Sequence, residues 1–394
     1  MGGSTVIVGG GLAGAKTAEA LRERGYDGAI VLLAAESHLP YERPPLSKGY
    51  LSGSDDRDSV FVHDRAWYDE HDVDLRVGVT VERIDRDARQ VALSDGSAVH
   101  YDKVVIATGS RPRRFPGDPD VAYLRTLDDS DALRARFGEG RSLLIVGAGW
   151  IGLEAAAAAR GAGTAVTIVE PADAPLEKVL GKQQGGVIAE LHRRHGVDLR
   201  LSTGVERIES GTVTVDGGEE LTADTVLVGI GAEPITDVAA DAGLVVSNGI
   251  DVDAGLRTSD PDFFAVGDVA NQDHPLFGRI RVEHWANALN QPAVAAANAL
   301  GGDETYARLP YFYTDQYEFG MEYRGYASGE DQVVVRGSED DLEYLAFWLA
   351  DRVVRAGMNV NIWDRGDDIA TLIESQRRVD PARLADPSIP LADV

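Results

Sequence analysis

The stretch "TVIVGGGLAG", residues 5–14, decides the fold. Thr5 to Val8 is a short β-branched run, three glycines follow, and a helical pattern continues to Arg24. A second apolar run, "AIVLLAA", then ends at Glu36. That order is strand, turn, helix, strand. In such a unit Gly9 makes the tight turn, Gly11 lets backbone amides approach a pyrophosphate, and Gly14 lets the helix pack on the strand. The unit occurs twice. "LLIVG" leads into "GAGWIG", an alanine-rich helix is expected from Leu153, and "AVTIV" ends at Glu170, so Gly147, Gly149 and Gly152 repeat the roles of the first set. After each unit comes a similar passage, 76–110 and 200–234, reading as a strand, a hairpin with Asp-Gly or Gly-Gly turns, and a strand that runs into a glycine. The second half of the pattern therefore duplicates the first.

Two dinucleotide sites in one chain are explained most economically by electron transfer between two bound dinucleotides. The acids indicate which site holds which. Glu170 ends the second strand of the second unit, where a carboxylate accepts hydrogen bonds from ribose hydroxyls, and its neighbours Pro171, Ala172 and Asp173 include no arginine for a 2′-phosphate. NADH is expected over NADPH, with a solvated strand-end glutamate as the alternative. Asp268, in "FFAVGD", follows an apolar strand and reads either as a helix cap or as a return to the first nucleotide site.

The chain has 394 residues, enough for two or three domains, and 44% are hydrophobic. Lys and Arg number 38 against 65 Asp and Glu, a net charge of −27, which disfavours nucleic acid and anionic membranes as general partners. "RPRR" at 111–114 is a local basic cluster against that background. Cysteine is absent, which excludes disulfides, thiolate metal sites, bound iron–sulfur clusters and catalytic thiols. No metal site is expected. The N-terminus lacks the basic and apolar regions of a signal peptide and no apolar run spans a membrane, so a cytoplasmic protein is expected. From Pro310 the text changes to clustered aromatics and short alternating strands, with helical text near 367–376.

The set "GGGLAG", "YERPPLSKGYL", "VIATGSRPR", "GAGWIGLE", "PLEKVLG", "LVGIGAEP", "FFAVGD", "EHWANALNQ" and "YFYTDQY" resembles the NADH-dependent ferredoxin reductases of the putidaredoxin reductase type, which serve cytochromes P450 and dioxygenases, and their apoptosis-inducing-factor-like core. The likeness runs from residue 5 to about 380, and "RPPLSK" is its most specific motif. It implies an α/β protein with two Rossmann-like, glutathione-reductase-like domains of three-layer ββα form and a C-terminal α+β domain. The FAD domain would take 1–112 and 235–305, the NADH domain 113–234, and the C-terminal domain 306–394.

Carried over for FAD are Gly9, Gly11, Ala13, Gly14, Arg43, Lys48, Val81, Arg125, Asp268 and Trp285; for NADH, Gly147, Gly149, Ile151, Gly152, Glu154, Glu170 and Gly231. The family's ribose acid for FAD stands where this chain has Ala35, so either Glu36 takes that contact or the contact is weakened. Lys48, Glu154 and Trp285 are the implied catalytic residues. Two prolines preset the backbone so that Lys48 projects from a stiff loop, where a cation stabilises an electron-rich reduced flavin. Glu154 could pair with it and hold the nicotinamide carboxamide, the alternative being a purely structural ion pair. Trp285 would lie on a flavin or nicotinamide face or pack in a domain interface. Tyr311, Phe312 and Tyr313 would line the cap, Tyr313 replacing a tryptophan frequent in relatives.

The implied activity passes electrons from NADH through FAD to a [2Fe–2S] ferredoxin and so to a cytochrome P450 or other oxygenase. The fold also carries other functions. The missing cysteines remove disulfide reductases and sulfenate-dependent enzymes. The C-terminal text is not the amphipathic anchor that quinone reductases bring. An NADH oxidase and a redox-sensing flavoprotein acting through partner binding remain as alternatives.

Overall fold

The strand Ser4–Val8 buries Val6, Ile7 and Val8, as a strand covered on both faces must. It pairs in parallel with Ala29–Ala34 on one side and Lys103–Ile106 on the other. Val73–Val77 and Phe263–Ala265 complete a five-stranded parallel sheet. The chain moves outward from the first strand in one direction and then returns to its other side, the reversal at which open α/β sheets bind ligands. The helices Leu12–Glu23 and Trp285–Ala299 pack together, their shared face built from small side chains such as Ala13, Ala295 and Ala296. A three-stranded antiparallel sheet, Val81–Asp85, Gln90–Leu93 and Ala98–His100, carries the first hairpin, and Gly96 turns it at φ +81°.

The computed structural model describes residues 3–117, 120–209 and 211–394; Met1 and Gly2, part of the N-terminal reading, lie outside the described residues. The backbone divides into two units. The one just described comprises Met1–Arg43, Arg57–Arg111 and Glu233–Pro310; the other comprises Pro44–Asp56, Pro112–Ala232 and Tyr311–Val394.

The second unit repeats the pattern. Ser142–Val146 lies between Ala165–Val169 and Thr225–Val228, with Asp198–Arg200 outside, all parallel. Its antiparallel sheet comprises Val205–Glu209, Thr212–Val215 and Glu220–Thr222. The helix expected from Leu153 begins earlier, at Trp150, because Gly149 already adopts the extended conformation of an N-cap. Residues 311–394 form a five-stranded antiparallel sheet ordered 311–316, 319–325, 353–360, 343–350, 332–338, followed by the helix Gly366–Ser375. Trp348 donates from Nε1 to the Leu180 carbonyl at 3.2 Å and the Tyr344 hydroxyl donates to Gln184 Oε1 at 2.7 Å, tying this sheet to the long helix Glu177–Arg194. No helix among the described residues is long and apolar enough to cross a membrane.

Candidate active site

Each glycine turn is shaped by steric necessity. At Gly9, φ is +121° and a Cβ would stand 2.2 Å from the Ala107 carbonyl oxygen; at Gly14 a Cβ would meet the Gly9 oxygen at 2.0 Å. Gly11, at the helix N-terminus, faces open space. The second turn matches it: Gly147 has φ +103° with Gly229 at 2.5 Å, a Cβ on Gly152 would meet the Gly147 oxygen at 2.4 Å, and Gly149 is open to 3.9 Å. Two positions are thus closed by the protein's own backbone, while the middle one leaves the helix N-terminus accessible to an anion.

In the first unit Ala13 is buried beside Gly267, and Val81 is buried in its hairpin sheet. Glu36 accepts from the Tyr41 hydroxyl and pairs with Arg43, Nη2 to Oε1 at 2.8 Å. The acid and the arginine named for one cofactor therefore meet each other, at the end of the second strand. Asp268 lies in the short turn Gly267–Val269 and accepts from Ser110 Oγ at 2.8 Å. The buried Gln291 holds that turn by accepting from the Gly267 amide at 2.7 Å. Trp285 opens its helix with Nε1 donating to Glu42 Oε2 at 2.9 Å, a partner in "YERPPLSKGYL" that the sequence reading did not single out.

In the second unit Glu170 is engaged by backbone: Oε2 accepts from the Ala148 amide at 2.7 Å and Oε1 from Ala172 at 3.0 Å. The carboxylate thereby braces the glycine turn. Ile151 is exposed beside that turn, Gly231 has φ +104°, and Arg125 precedes the capping box of Leu127–Arg134, where its amide donates to Asp129.

"RPPLSK" forms two short helical turns, Pro44–Ser47 and Gly49–Ser52, with Lys48 between them. The proline nitrogens sit where a helical turn needs no donor. Ser130 Oγ anchors the loop by donating to the Leu46 carbonyl at 2.9 Å. Lys48 Nζ then lies 2.7 Å from Glu154 Oε1, and Glu154 is 3% exposed. Ser47 Oγ also donates to Glu154 Oε2, and Thr314 Oγ1 donates to Oε1 at 2.6 Å. Lys48 further lies over the Tyr313 ring, 5.3 Å from its centroid.

Strand alternation separates the three cap aromatics. Phe312 packs on Trp150 at 4.2 Å, while Tyr311 and Tyr313 share the opposite face, 6.3 Å apart. Asp315, near both Lys48 and Glu154, is held above the usual carboxylate range, chiefly by burial and further by Glu154, against the pull of Lys48. Ser47 and Thr314 were missed in the sequence reading; Ser47 could have been found from its place in the motif, whereas nothing local marks Thr314.

Two glycine-built turns at the ends of parallel strands, with an ion-paired lysine on a stiff loop, define a two-dinucleotide oxidoreductase. The chain belongs to the pyridine nucleotide-disulphide oxidoreductase family, which it matches over residues 3–292, and it matches the reductase C-terminal family over 311–394. It is 43% identical to the ferredoxin–NAD(+) reductase component of the anthranilate 1,2-dioxygenase system of Burkholderia cepacia, over 98% of both chains. It is 42% identical to rhodocoxin reductase of Rhodococcus erythropolis, over 86% of this chain and 81% of that one. The crystal structure of the covalent putidaredoxin reductase–putidaredoxin complex superposes with a TM-score of 0.92 at 36% identity, covering 99% of this chain and 97% of that one.

Proposed function

We propose that this protein is an NADH-dependent ferredoxin reductase that passes electrons through FAD to a [2Fe–2S] ferredoxin serving a cytochrome P450 or a dioxygenase. The observation that carries the reading is the pairing of two intact glycine turns with a half-buried lysine held by a buried glutamate in a chain that has no cysteine. The residues present suit both dinucleotides. Gly9, Gly11, Gly14, Arg43 and Asp268 would hold FAD within 1–112 and 235–305. Gly147, Gly149, Gly152 and Glu170 would hold NADH within 113–234, with 306–394 as the C-terminal domain.

FAD, when bound, supplies a group that takes two electrons as hydride and gives them up one at a time. The chain's own groups orient and polarise. Lys48 presents a cation fixed by its loop, and Glu154 neutralises it and offers carboxylate oxygens to a carboxamide. Glu170 braces the turn that would receive the pyrophosphate, and the three residues after it, Pro171, Ala172 and Asp173, include no arginine for a 2′-phosphate. With no thiol and no cluster ligand in the chain, electrons have no internal disulfide or iron centre to occupy, and a one-electron carrier outside the chain would collect them from the flavin. A cytoplasmic location fits this role.

The test is an anaerobic titration of the purified, FAD-loaded protein with NADH, followed by addition of an oxidised [2Fe–2S] ferredoxin. Bleaching of the flavin by one equivalent of NADH and its recovery on adding two equivalents of ferredoxin are expected. Bleaching that only oxygen reverses would favour the oxidase reading.

A further inference from the structure

Behind Glu154 runs a line of buried polar side chains that the proposed function leaves unused. Thr314 and Gln316 project to the interior from the strand Tyr311–Gln316, while His192 comes from the helix Glu177–Arg194; all three are buried. His192 Nε2 lies 2.8 Å from Gln316 Oε1, Gln316 Nε2 lies 3.1 Å from Thr314 Oγ1, and Thr314 Oγ1 lies 2.6 Å from Glu154 Oε1. Buried groups of this kind are costly unless paired, so the line must be accounted for donor by donor.

Only one direction of donation satisfies it. Glu154 already takes the ammonium of Lys48 and the hydroxyl of Ser47, so it meets Thr314 as an acceptor and Thr314 must donate. The Thr314 oxygen then accepts from the Gln316 amide, and the Gln316 carbonyl accepts in turn. His192 therefore carries its proton on Nε2. That leaves Nδ1 bare, and Nδ1 is buried without a hydrogen-bond partner. Burial pushes His192 down to about 4, so the ring stays neutral and the line keeps one direction at physiological pH.

Resting on the reading of the protein as an NADH-dependent flavin reductase, we infer that Thr314, Gln316 and His192 are positioning residues that lock the Glu154 carboxylate in one rotamer against Lys48. Three donors then arrive at two oxygens from fixed directions. Without the Thr314 hydroxyl, Oε1 has Lys48 alone and the carboxylate can turn about its last torsion, which loosens the geometry of a pair held for one reaction. Gln316 and His192 act only through Thr314.

The experiment is anaerobic stopped-flow reduction of FAD-loaded protein by NADH in Thr314→Val, Thr314→Ser, Gln316→Leu and the Thr314→Val/Gln316→Leu double variant. Thr314→Val is expected to lower the limiting reduction rate about tenfold while the half-saturating NADH moves less than about threefold, and Thr314→Ser is expected to restore the rate to within about twofold. Gln316→Leu should slow reduction about threefold. The double variant should be no slower than Thr314→Val, because the longer-range residue works through the nearer one.

Parental reduction by Thr314→Val with full FAD content overturns the inference, as does a double variant whose losses multiply. If Thr314→Val does not retain FAD, Gln316→Leu decides: a slower limiting rate at unchanged half-saturation supports the lock, and a parental rate refutes it. If the unsubstituted protein is not reduced by NADH, the reading of its function fails instead.

Discussion

Lys48 and Glu154 neutralise one another where water is scarce, so removing either exposes what the pair does. Glu154 is buried while Lys48 keeps 17% of its side-chain surface, so removing Lys48 leaves a buried carboxylate without its counter-charge, at a cost below the roughly 3 kcal/mol of a fully buried pair. Lys48→Met should therefore lower the denaturation midpoint as well as slow flavin reduction, whereas Lys48→Met/Glu154→Gln should regain most of the stability and none of the rate. Thermal denaturation and stopped-flow reduction separate these, and a single variant with parental reduction would leave the lysine a structural role only. Lys48 was legible because two prolines precede it within the motif "RPPLSK". Thr314 was not, since it meets Glu154 across 160 positions and hydrogen-bonding distance has no signature in a linear sequence. Glu36 was legible as an acid near the second strand's end, but its partner Arg43 was assigned to a cofactor independently of it.

Among the elements, parallel strands and glycine turns were readable from pattern because uniform burial and backbone closure leave few sequence choices. Helix starts were less so. Trp150 and Ile151 form the first turn of their helix but belong to the glycine motif "GAGWIG", after which the alanine-rich text placed the start at Leu153. The glycine turns give a direct prediction: Gly152→Ala puts a Cβ 2.4 Å from the Gly147 oxygen and should weaken NADH at least tenfold while FAD content stays parental, measured by titration. Glu170→Arg should raise the kcat/KM for NADPH relative to NADH by about ten- to a hundredfold, the worth of one charge-assisted hydrogen bond; an unchanged ratio would remove Glu170 from the ribose site.

The helix carrying His192 sets a pH response. Its folded-state value near 4 lies below the unfolded value near 6.5, so the unfolded chain takes up the proton first. Stability from this group is complete above about pH 6.5 and is lost as pH falls toward 4, by about 3 kcal/mol in all. His274, also lowered by burial, acts in the same direction. In urea denaturation at pH 7 and pH 4.5, His192→Phe should show a smaller drop in midpoint between the two than the parent does. An equal drop would place the response elsewhere.

For the whole molecule, charge decides how a partner approaches. A chain of net charge −27 repels an acidic ferredoxin at long range. The one cluster the sequence offered as a basic patch is largely committed: Arg111 pairs with Glu233 and Asp237, Arg113 donates to the Ala232 carbonyl, and Arg114 lies over the Tyr123 ring. Ferredoxin-dependent turnover should therefore stay flat or rise with ionic strength, and a steep fall would point to an unneutralised patch elsewhere. That electrons from NADH leave this chain singly to a protein carrier is the prediction on which the others depend. It is tested most directly by NADH-dependent reduction of cytochrome c with and without an added [2Fe–2S] ferredoxin. A rate that rises with ferredoxin and saturates, well above NADH consumption by oxygen alone, is the predicted result. A rate indifferent to every ferredoxin, with oxygen consuming NADH as fast as any protein acceptor, would contradict it.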